Sequence, residues 1–212
     1  MTEGRRHPAA EVFDTIGAAY ETAFAGSRAH HASLETLLGQ LPPRGRILDV
    51  GSGTGRPTAH TLAAAGHDVL GVDVSPVMVD LAARRVPGAT FRTADIREVR
   101  LDEGGFDAVC VYFSLLQMSR EDQRALVRRL AGALRPGGRL VLATIPLDVE
   151  GVDAVFMGQE VRVTSFGPEE CRALVTGAGL TLTQEYDDVF TPGHPGAVPE
   201  PHLYLHCLRE PV

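Results

Sequence analysis

The sequence predicts an α/β fold: a doubly wound, mostly parallel seven-stranded sheet with an antiparallel last strand, capped by N-terminal helices. From Ile47 onward, short apolar runs alternate with helical segments, the pattern of a parallel sheet with crossover helices. A glycine-rich turn, Asp49-Val50-Gly51-Ser52-Gly53-Thr54-Gly55, follows the first buried run. The last two strand-like runs are separated only by a loop rich in Pro and Gly, so they can pair antiparallel as a long hairpin.

Element by element, the apolar residues Val12, Phe13, Ile16, Ala19, Tyr20 and Phe24 recur at three and four residue intervals, the period of one helical face. A second helix runs from Ala29 to Leu41 with Leu34, Leu37, Leu38 and Leu41 inward, and Pro42 and Pro43 end it. Strands follow at Ile47 to Val50, Val69 to Val72, Ala89 to Thr93, Phe106 to Val111 and Arg139 to Thr144, and helices at Thr58 to Ala65, Val77 to Arg85 and Arg120 to Leu134. The turn Arg135-Pro136-Gly137-Gly138 stops the long helix, since proline cannot continue it and glycine permits positive φ. Residues 145–166 break the alternation and read as an insert over the sheet edge, with a strand-like run at Val161 to Thr164. Pro168 to Ala178 makes a last helix, opened by Glu169 and Glu170 as the helix dipole favours. The final strands are Leu180 to Tyr186 and His202 to Leu208.

Composition excludes several classes. A length of 212 residues suits one domain, and with 44% hydrophobic and 22% charged residues the chain is ordinary globular material. The net charge of −7 repels nucleic acid. Arg84 and Arg85, and Arg124, Arg128 and Arg129, fall within amphipathic helical patterns and read as solvated faces. Cys110, Cys171 and Cys207 form neither a disulfide framework nor a metal pair, so a reducing cytoplasm and buried inert thiols are expected. No metal site is expected either, because neither HxxxH nor CxxC occurs. Residues 1–12, with Glu3, Arg5 and Arg6, lack the apolar core of an export signal, and no run approaches a membrane span.

The glycine turn lets a ligand approach the backbone closely at the positive end of the following helix. A dinucleotide fingerprint needs Gly-x-Gly-x-x-Gly, which from Gly51 and Gly53 demands glycine at position 56. Arg56 stands there, followed by Pro57, and the glycines run 51, 53, 55.

That register resembles the class I S-adenosylmethionine-dependent methyltransferases, whose motif is an acid followed by x-Gly-x-Gly-x-Gly, with Asp49 as the acid. Further likenesses come in order: Asp73 at the end of its strand, Thr93-Ala94-Asp95-Ile96, Phe106-Asp107-Ala108-Val109, and Leu134-Arg135-Pro136-Gly137-Gly138. Phe13-Asp14-Thr15-Ile16-Gly17-Ala18-Ala19-Tyr20 is similar to the family's opening Tyr-Asp-x-x-Ala-x-x-Tyr, with Phe13 in place of the first tyrosine. The likeness spans Phe13 to Cys207 and is of the kind that includes many small-molecule enzymes of secondary metabolism.

The resemblance implies S-adenosyl-L-methionine as cofactor. Its methionine end would meet the backbone at Gly51, with Gly53 and Gly55 allowing close approach, Tyr20 nearby, and Asp49 either orienting the loop or contacting the ammonium through water. Its ribose would meet Asp73, its adenine faces Val74 and Ile96 and its amino group Asp95, and Ser52 and Met78 complete the implied cofactor-binding set. Plainer roles compete: Asp73 as a turn residue before the Ser75-Pro76 helix cap, Asp95 as a loop carboxylate, and Tyr20 as part of an apolar face. The implied organisation is a helical cap over 1–43, a cofactor-binding core over 44–144, and an insert, last helix and C-terminal hairpin over 145–212.

For the acceptor side, Val111 to Met118 lacks the Asn-Pro-Pro-Tyr or Asp-Pro-Pro-Tyr clamp of nucleobase and amide methyltransferases. Tyr112, Phe113, Gln117 and Met118 suggest an apolar pocket tolerant of aromatic acceptors, or simple packing. Methyl transfer gains mainly from alignment and water exclusion, with a base useful for hydroxyl or acidic carbon acceptors. Candidate bases are His30 and His31 after the first helix, His194 in the Pro/Gly loop, and Glu200 or His202 just before the last strand; none is marked by a motif. His30 and His31 read as surface imidazoles or a helix cap, and His60 and His67 as exposed. The expectation is a small-molecule methyltransferase, monomeric or homodimeric, without nucleic-acid or membrane partners. Rival expectations are a nicotinamide-dinucleotide oxidoreductase, and a non-methylating enzyme or binding protein of the same fold that retains the cofactor.

Overall fold

A computed structural model describes residues 8–211. Glu3, Arg5 and Arg6, used above for the expected lack of an export signal, lie outside the described residues. Strands β1 (Arg46–Val50), β2 (Asp68–Asp73), β3 (Thr90–Thr93), β4 (Phe106–Tyr112), β5 (Leu134–Thr144), β8 (Thr181–Phe190) and β9 (Glu200–Leu208) form one sheet in the order β3-β2-β1-β4-β5-β9-β8. The pairs among β1 to β5 are parallel, whereas β9 lies antiparallel between β5 and β8. Strand order reverses at β1, where β2 and β4 flank it, and a crevice forms at such a switch point beyond the carboxyl ends of the strands.

Helices α1 (Pro8–Ile16), α2 (Ala19–Phe24), α3 (Arg28–Leu38), α4 (Thr58–Ala64), α5 (Pro76–Arg85), α6 (Arg120–Ala133) and α7 (Pro168–Thr176) complete the chain. The central strands are apolar throughout because both faces are covered. Leu48, Val109, Leu140 and Leu205 join a core with Leu126 and Leu130 of α6, while Ile47, Ala108, Val141 and Tyr204 join one with Leu34 and Leu37 of α3. Among the described residues no helix is long and apolar enough to cross a membrane.

Several expectations need correction. The first amphipathic run is two helices, because Gly17 at φ 51° ends α1. The Arg135-Pro136-Gly137-Gly138 turn does end α6, but it continues as β5: Leu134 pairs with Phe106, and the ladder resumes at Arg139 opposite Ala108. The intervening residues bulge outward, and the Gly137 amide donates to Arg209 O at 2.7 Å.

Residues 145–166 are not an insert over the sheet edge. They contain a separate antiparallel hairpin, β6 (Val149–Phe156) and β7 (Gln159–Ser165). The Thr164 amide donates to Leu116 O at 2.7 Å and Gln123 donates to Thr164 O at 3.1 Å, which docks the hairpin on the loop after β4 rather than on edge strands β3 or β8.

His67 is buried, its Nδ1 accepting the Gly45 amide at 3.0 Å, so it is not the exposed residue expected. Arg85 and Arg129 do more than face solvent. Arg85 pairs with Glu21 at 2.6 Å, and Arg129 donates to Arg97 O and Val99 O at 2.6 and 2.7 Å. The three cysteines are free and buried, and burial raises each thiol, Cys171 and Cys207 to about 12, which leaves them inert.

Candidate functional site

The loop after β1 folds over the end of β2: the Gly51 and Ser52 amides donate to Val72 O at 2.8 and 3.2 Å. Gly51 stands at φ 67°, and a Cβ there would lie 2.2 Å from Ser114 Cβ, so only glycine lets the loop approach the chain leaving β4. Gly53 differs. At φ 51° it has nothing within 4 Å of a Cβ position, which leaves its face open to a ligand. Gly55, expected to admit a ligand, meets protein instead, since its Cβ position lies 3.1 to 3.3 Å from Phe91, Val86 and Ala82.

Asp73 joins the two strand ends. Its Oδ2 accepts the Gly53 amide at 2.8 Å and its Oδ1 the Ser75 amide at 2.9 Å, while Ser75 Oγ caps α5 by accepting the Met78 amide at 3.0 Å. The turn role and the loop-holding role therefore coexist, and a carboxylate bound this way keeps further lone pairs for hydroxyl donors. Asp49 is 2% exposed, and its Oδ2 has no hydrogen-bond partner among the described residues; nor have the buried hydroxyls of Ser52 and Ser114. Burial first, and then Asp73, raise Asp49 to about 7. Asp73 is also raised by burial, against the pull of its amide donors, with Asp14 adding to the rise. Two desolvated acids and several orphaned acceptors favour a cationic ligand rich in hydroxyl groups and disfavour a pyrophosphate.

Helices α1 and α2 are strapped across this loop. Ser75 Oγ donates to Asp14 Oδ1 at 2.6 Å, and Glu21 Oε2 accepts from Thr54 Oγ1 at 2.8 Å and from Arg85 at 2.6 Å. Glu21 was not singled out from sequence. The available signal was two acids seven residues apart on the polar side of the helical pattern. The Tyr20 ring stacks on Phe24 at 4.8 Å and meets Phe13 edge-on at 5.9 Å. Burial first, and then Glu200 and Asp73, push its hydroxyl well above the ordinary range.

The remaining candidates divide. Val74 is half-buried beside Asp73, and Met78 is fully buried. Asp95 is clasped by Arg97 at 2.7 Å, and Arg97 also reaches Asp122 at 3.1 Å. Ile96 joins the core that contains Leu126. Tyr112 turns inward, its hydroxyl 2.9 Å from Ser33 Oγ, and Met118 packs against the larger core. Gln117 instead lines an open cleft of about 530 Å³ between α1 and the hairpin, with Glu11, Thr15 and Gln159. Phe113 swings its ring to 4.4 Å from His202.

Among the histidines, His30 is neither surface imidazole nor cap. Ser27 caps α3 by accepting the His30 amide, while the ring stacks on Tyr112 at 4.1 Å and bonds Thr58 Oγ1 at 3.0 Å. Burial, His31 and His202 lower it to about 3. His31 is exposed, and His194 Nδ1 lies 2.9 Å from the carbonyl of its neighbour Pro195. His202 is 1% exposed, with Nε2 3.1 Å from Glu200 Oε1. Hydrogen bonds thus draw Gly51, Ser52, Gly53 and Asp73 together where β1 and β2 end, and ring contact joins Phe113 after β4 to His202 near the start of β9.

Residues 47–138 match the family model of a methyltransferase domain. The methyltransferase GfsG of Streptomyces halstedii is 31% identical over 183 residues, 78% of this chain and 64% of its own length. The chain thus spans less than two thirds of that relative. An uncharacterised methyltransferase of Synechocystis sp. is 30% identical, with 75% of this chain and 76% of that protein covered. In fold, the chain is similar to the 1,6-didemethyltoxoflavin-N1-methyltransferase of Burkholderia thailandensis, solved with its substrate and S-adenosylhomocysteine. The TM-score is 0.69 at 22% identity, over 99% of this chain and 92% of that one.

Proposed function

The chain belongs to the class I S-adenosylmethionine-dependent methyltransferases, and we propose that it moves a methyl group from this cofactor to an oxygen, nitrogen or carbon nucleophile of a small apolar or aromatic metabolite. The observation that carries the reading is the pair of buried acids, Asp49 and Asp73, beneath a glycine loop whose Gly53 face is open. When bound, the cofactor supplies an electrophilic methyl on a cationic sulfur.

In this proposal Asp73 takes the ribose hydroxyls with the lone pairs its amide donors leave free. Gly51, Gly53 and the orphaned Ser52 hydroxyl receive the methionine end, with Asp49 facing its ammonium and Tyr20 closing over it. Val74 and Met78 line the adenine side, Asp95 faces the adenine amino group, and Ile96 supports the wall from the core. The acceptor enters on the Phe113 side. Residues 1–43, 44–144 and 145–212 work as one domain, in the cytoplasm, as monomer or homodimer.

The nicotinamide rival is disfavoured by Arg56 in the third glycine position and by the repulsion two buried acids exert on pyrophosphate. Isothermal titration with S-adenosylmethionine and S-adenosylhomocysteine is the test. Both bind and a nicotinamide dinucleotide does not; a folded protein that takes up neither sinks the proposal.

A further inference from the structure

We propose that His202 is the general base of this site, oriented by Glu200, and that the acceptor it serves is a phenol- or enol-type hydroxyl held in an aromatic box. The inference rests on the methyltransferase reading and narrows it from any nucleophile to a hydroxyl.

Strand β9 runs antiparallel to β5 with Leu203 opposite Thr144, the last residue of β5. His202 therefore stands just past the carboxyl end of β5, at the rim of the crevice where the loops after β1 and β4 also lie. Its Nε2 is 3.1 Å from Glu200 Oε1. An ionised carboxylate can only accept, so the hydrogen of the neutral imidazole sits on Nε2, and Nδ1 is left with a bare lone pair. That Nδ1 is buried and has no hydrogen-bond partner among the described residues. Buried acceptors are nearly always satisfied, and an exception calls for a reason.

Around the imidazole lie Phe113 at 4.4 Å, Phe190 at 5.6 Å and Tyr204 at 6.3 Å, centroid to centroid, and Phe24 closes on Phe190 at 5.8 Å. Phe113 holds its place at φ 56°, a left-handed conformation that is costly for an aromatic residue. That conformation turns the ring toward His202. A flat apolar molecule suits the rings, and it must bring a hydrogen-bond donor to meet Nδ1. A thioether or unactivated carbon brings none.

Other histidines differ in place and basicity. His30 Nε2 is engaged by Thr58, and its lowered pKa of about 3 makes it a poor base near neutrality. His206 shares the unpartnered buried Nδ1, with Nε2 engaged by Ser33, but it lies four residues further down β9, away from the rim, and burial lowers it to about 4.

In the reaction the acceptor O–H bond breaks, its proton passes to Nδ1 and its electron pair stays on oxygen. That oxygen takes the methyl as the carbon–sulfur pair returns to sulfur. Glu200 stabilises the resulting imidazolium through Nε2–H, the role of a positioning residue.

The test uses 4-nitrophenol and 4-nitrocatechol, whose ionised forms are yellow, titrated into the full chain saturated with S-adenosylhomocysteine. Wild type binds the nitrophenol as phenolate, with its ionisation moved down by about one pH unit or more, a tenfold change in proton affinity. His202→Gln keeps S-adenosylhomocysteine affinity and loses the shift; Glu200→Gln reduces it; His31→Gln, on an exposed histidine, leaves it intact. The groups that enter the pH profile are Glu200, Asp188 opposite His202 on β8, His30 from α3, the Tyr204 hydroxyl, and Tyr20 through Glu200. ¹⁵N-histidine spectra of wild type read the same event without substitution, one bare ring nitrogen becoming protonated as nitrophenol binds. Failure of both nitrophenols to bind, no ring nitrogen gaining a proton, or an equal shift in wild type and His202→Gln overturns the inference. Failure to bind S-adenosylhomocysteine instead overturns the methyltransferase reading beneath it.

Discussion

The Asp73 carboxylate accepts the Gly53 amide at 2.8 Å, so the end of β2 holds the loop that leaves β1. Loop geometry and ligand contact thus depend on one side chain. Asp73→Ala removes two hydrogen bonds to a charged acceptor, each worth about 1.5–3 kcal/mol. S-adenosylhomocysteine affinity falls at least tenfold, while Arg84→Ala, on the exposed end of α5, leaves it unchanged. Calorimetric titration of both variants checks this; equal losses count against Asp73 as the ribose residue.

The two open-loop glycines separate folding from binding. Gly51→Ala drives a methyl into Ser114 and destabilises the ligand-free protein by about 2–3 kcal/mol, as overpacking of a close contact does. Gly53→Ala meets nothing within 4 Å, so it costs the fold only the left-handed strain of about 1 kcal/mol. Its methyl occupies the ligand's approach, and cofactor affinity falls more than stability. Urea unfolding and calorimetric titration, run side by side, distinguish the two.

Asp49 makes stability depend on pH in a defined direction. Its folded pKa, about 7, lies above the ordinary 3.8, so the folded chain binds the extra proton between those values. Stability of the ligand-free protein is full below about pH 4 in this term and is lost as pH rises toward 7. Asp73 acts with the same sign. Asp49→Asn flattens the slope across that window and leaves the ligand-free protein more stable at neutral pH. A cationic ligand reverses the preference, so S-adenosylmethionine binds wild type more tightly as pH rises to 7. Melting curves and titrations from pH 5 to 8 test both signs.

Phe156, at the end of β6, fastens the hairpin to the helical cap: its ring lies 6.3, 6.4 and 6.0 Å from those of Phe13, Tyr20 and Phe24. Phe156→Ala removes the aromatic contacts, each worth about 0.5–1.5 kcal/mol. Amide hydrogen exchange speeds up in β6, β7, α1 and α2, while β1, β4 and β5 retain their protection. Uniform acceleration across the sheet would show that the hairpin is not a separately opening unit.

Much of the architecture was legible because it rests on local periodicity. The runs around Leu48, Val72, Val109 and Leu142 are continuous apolar stretches, which only a strand covered on both faces tolerates. Departures occurred where long-range contact overrode the local pattern. Gly17 broke a helical face that periodicity carried through to Phe24, and residues 149–165 formed a hairpin because the amide of Thr164 found Leu116 O and Gln123 found Thr164 O. Local pattern puts His67 at the surface and leaves His30 a surface imidazole, a helix cap or a base, yet each has a buried partner distant in sequence, Gly45 for one and Thr58 for the other.

By itself the sequence determined the α/β alternation, the register of the glycine turn and the acids at 49 and 73, since each is a matter of neighbours along the chain. Tertiary structure decided which members of that motif stand open and which are packed. Gly53 opens outward, Gly55 packs on Phe91, and Ile96 and Tyr112 turn into the core. It also decided that Phe113 meets His202, and with it Glu200, although these lie nearly the length of the C-terminal half further along the chain. The physical reason is that backbone period is a local property, whereas a side chain's partner and its dielectric surroundings are set by whichever distant segments pack against it.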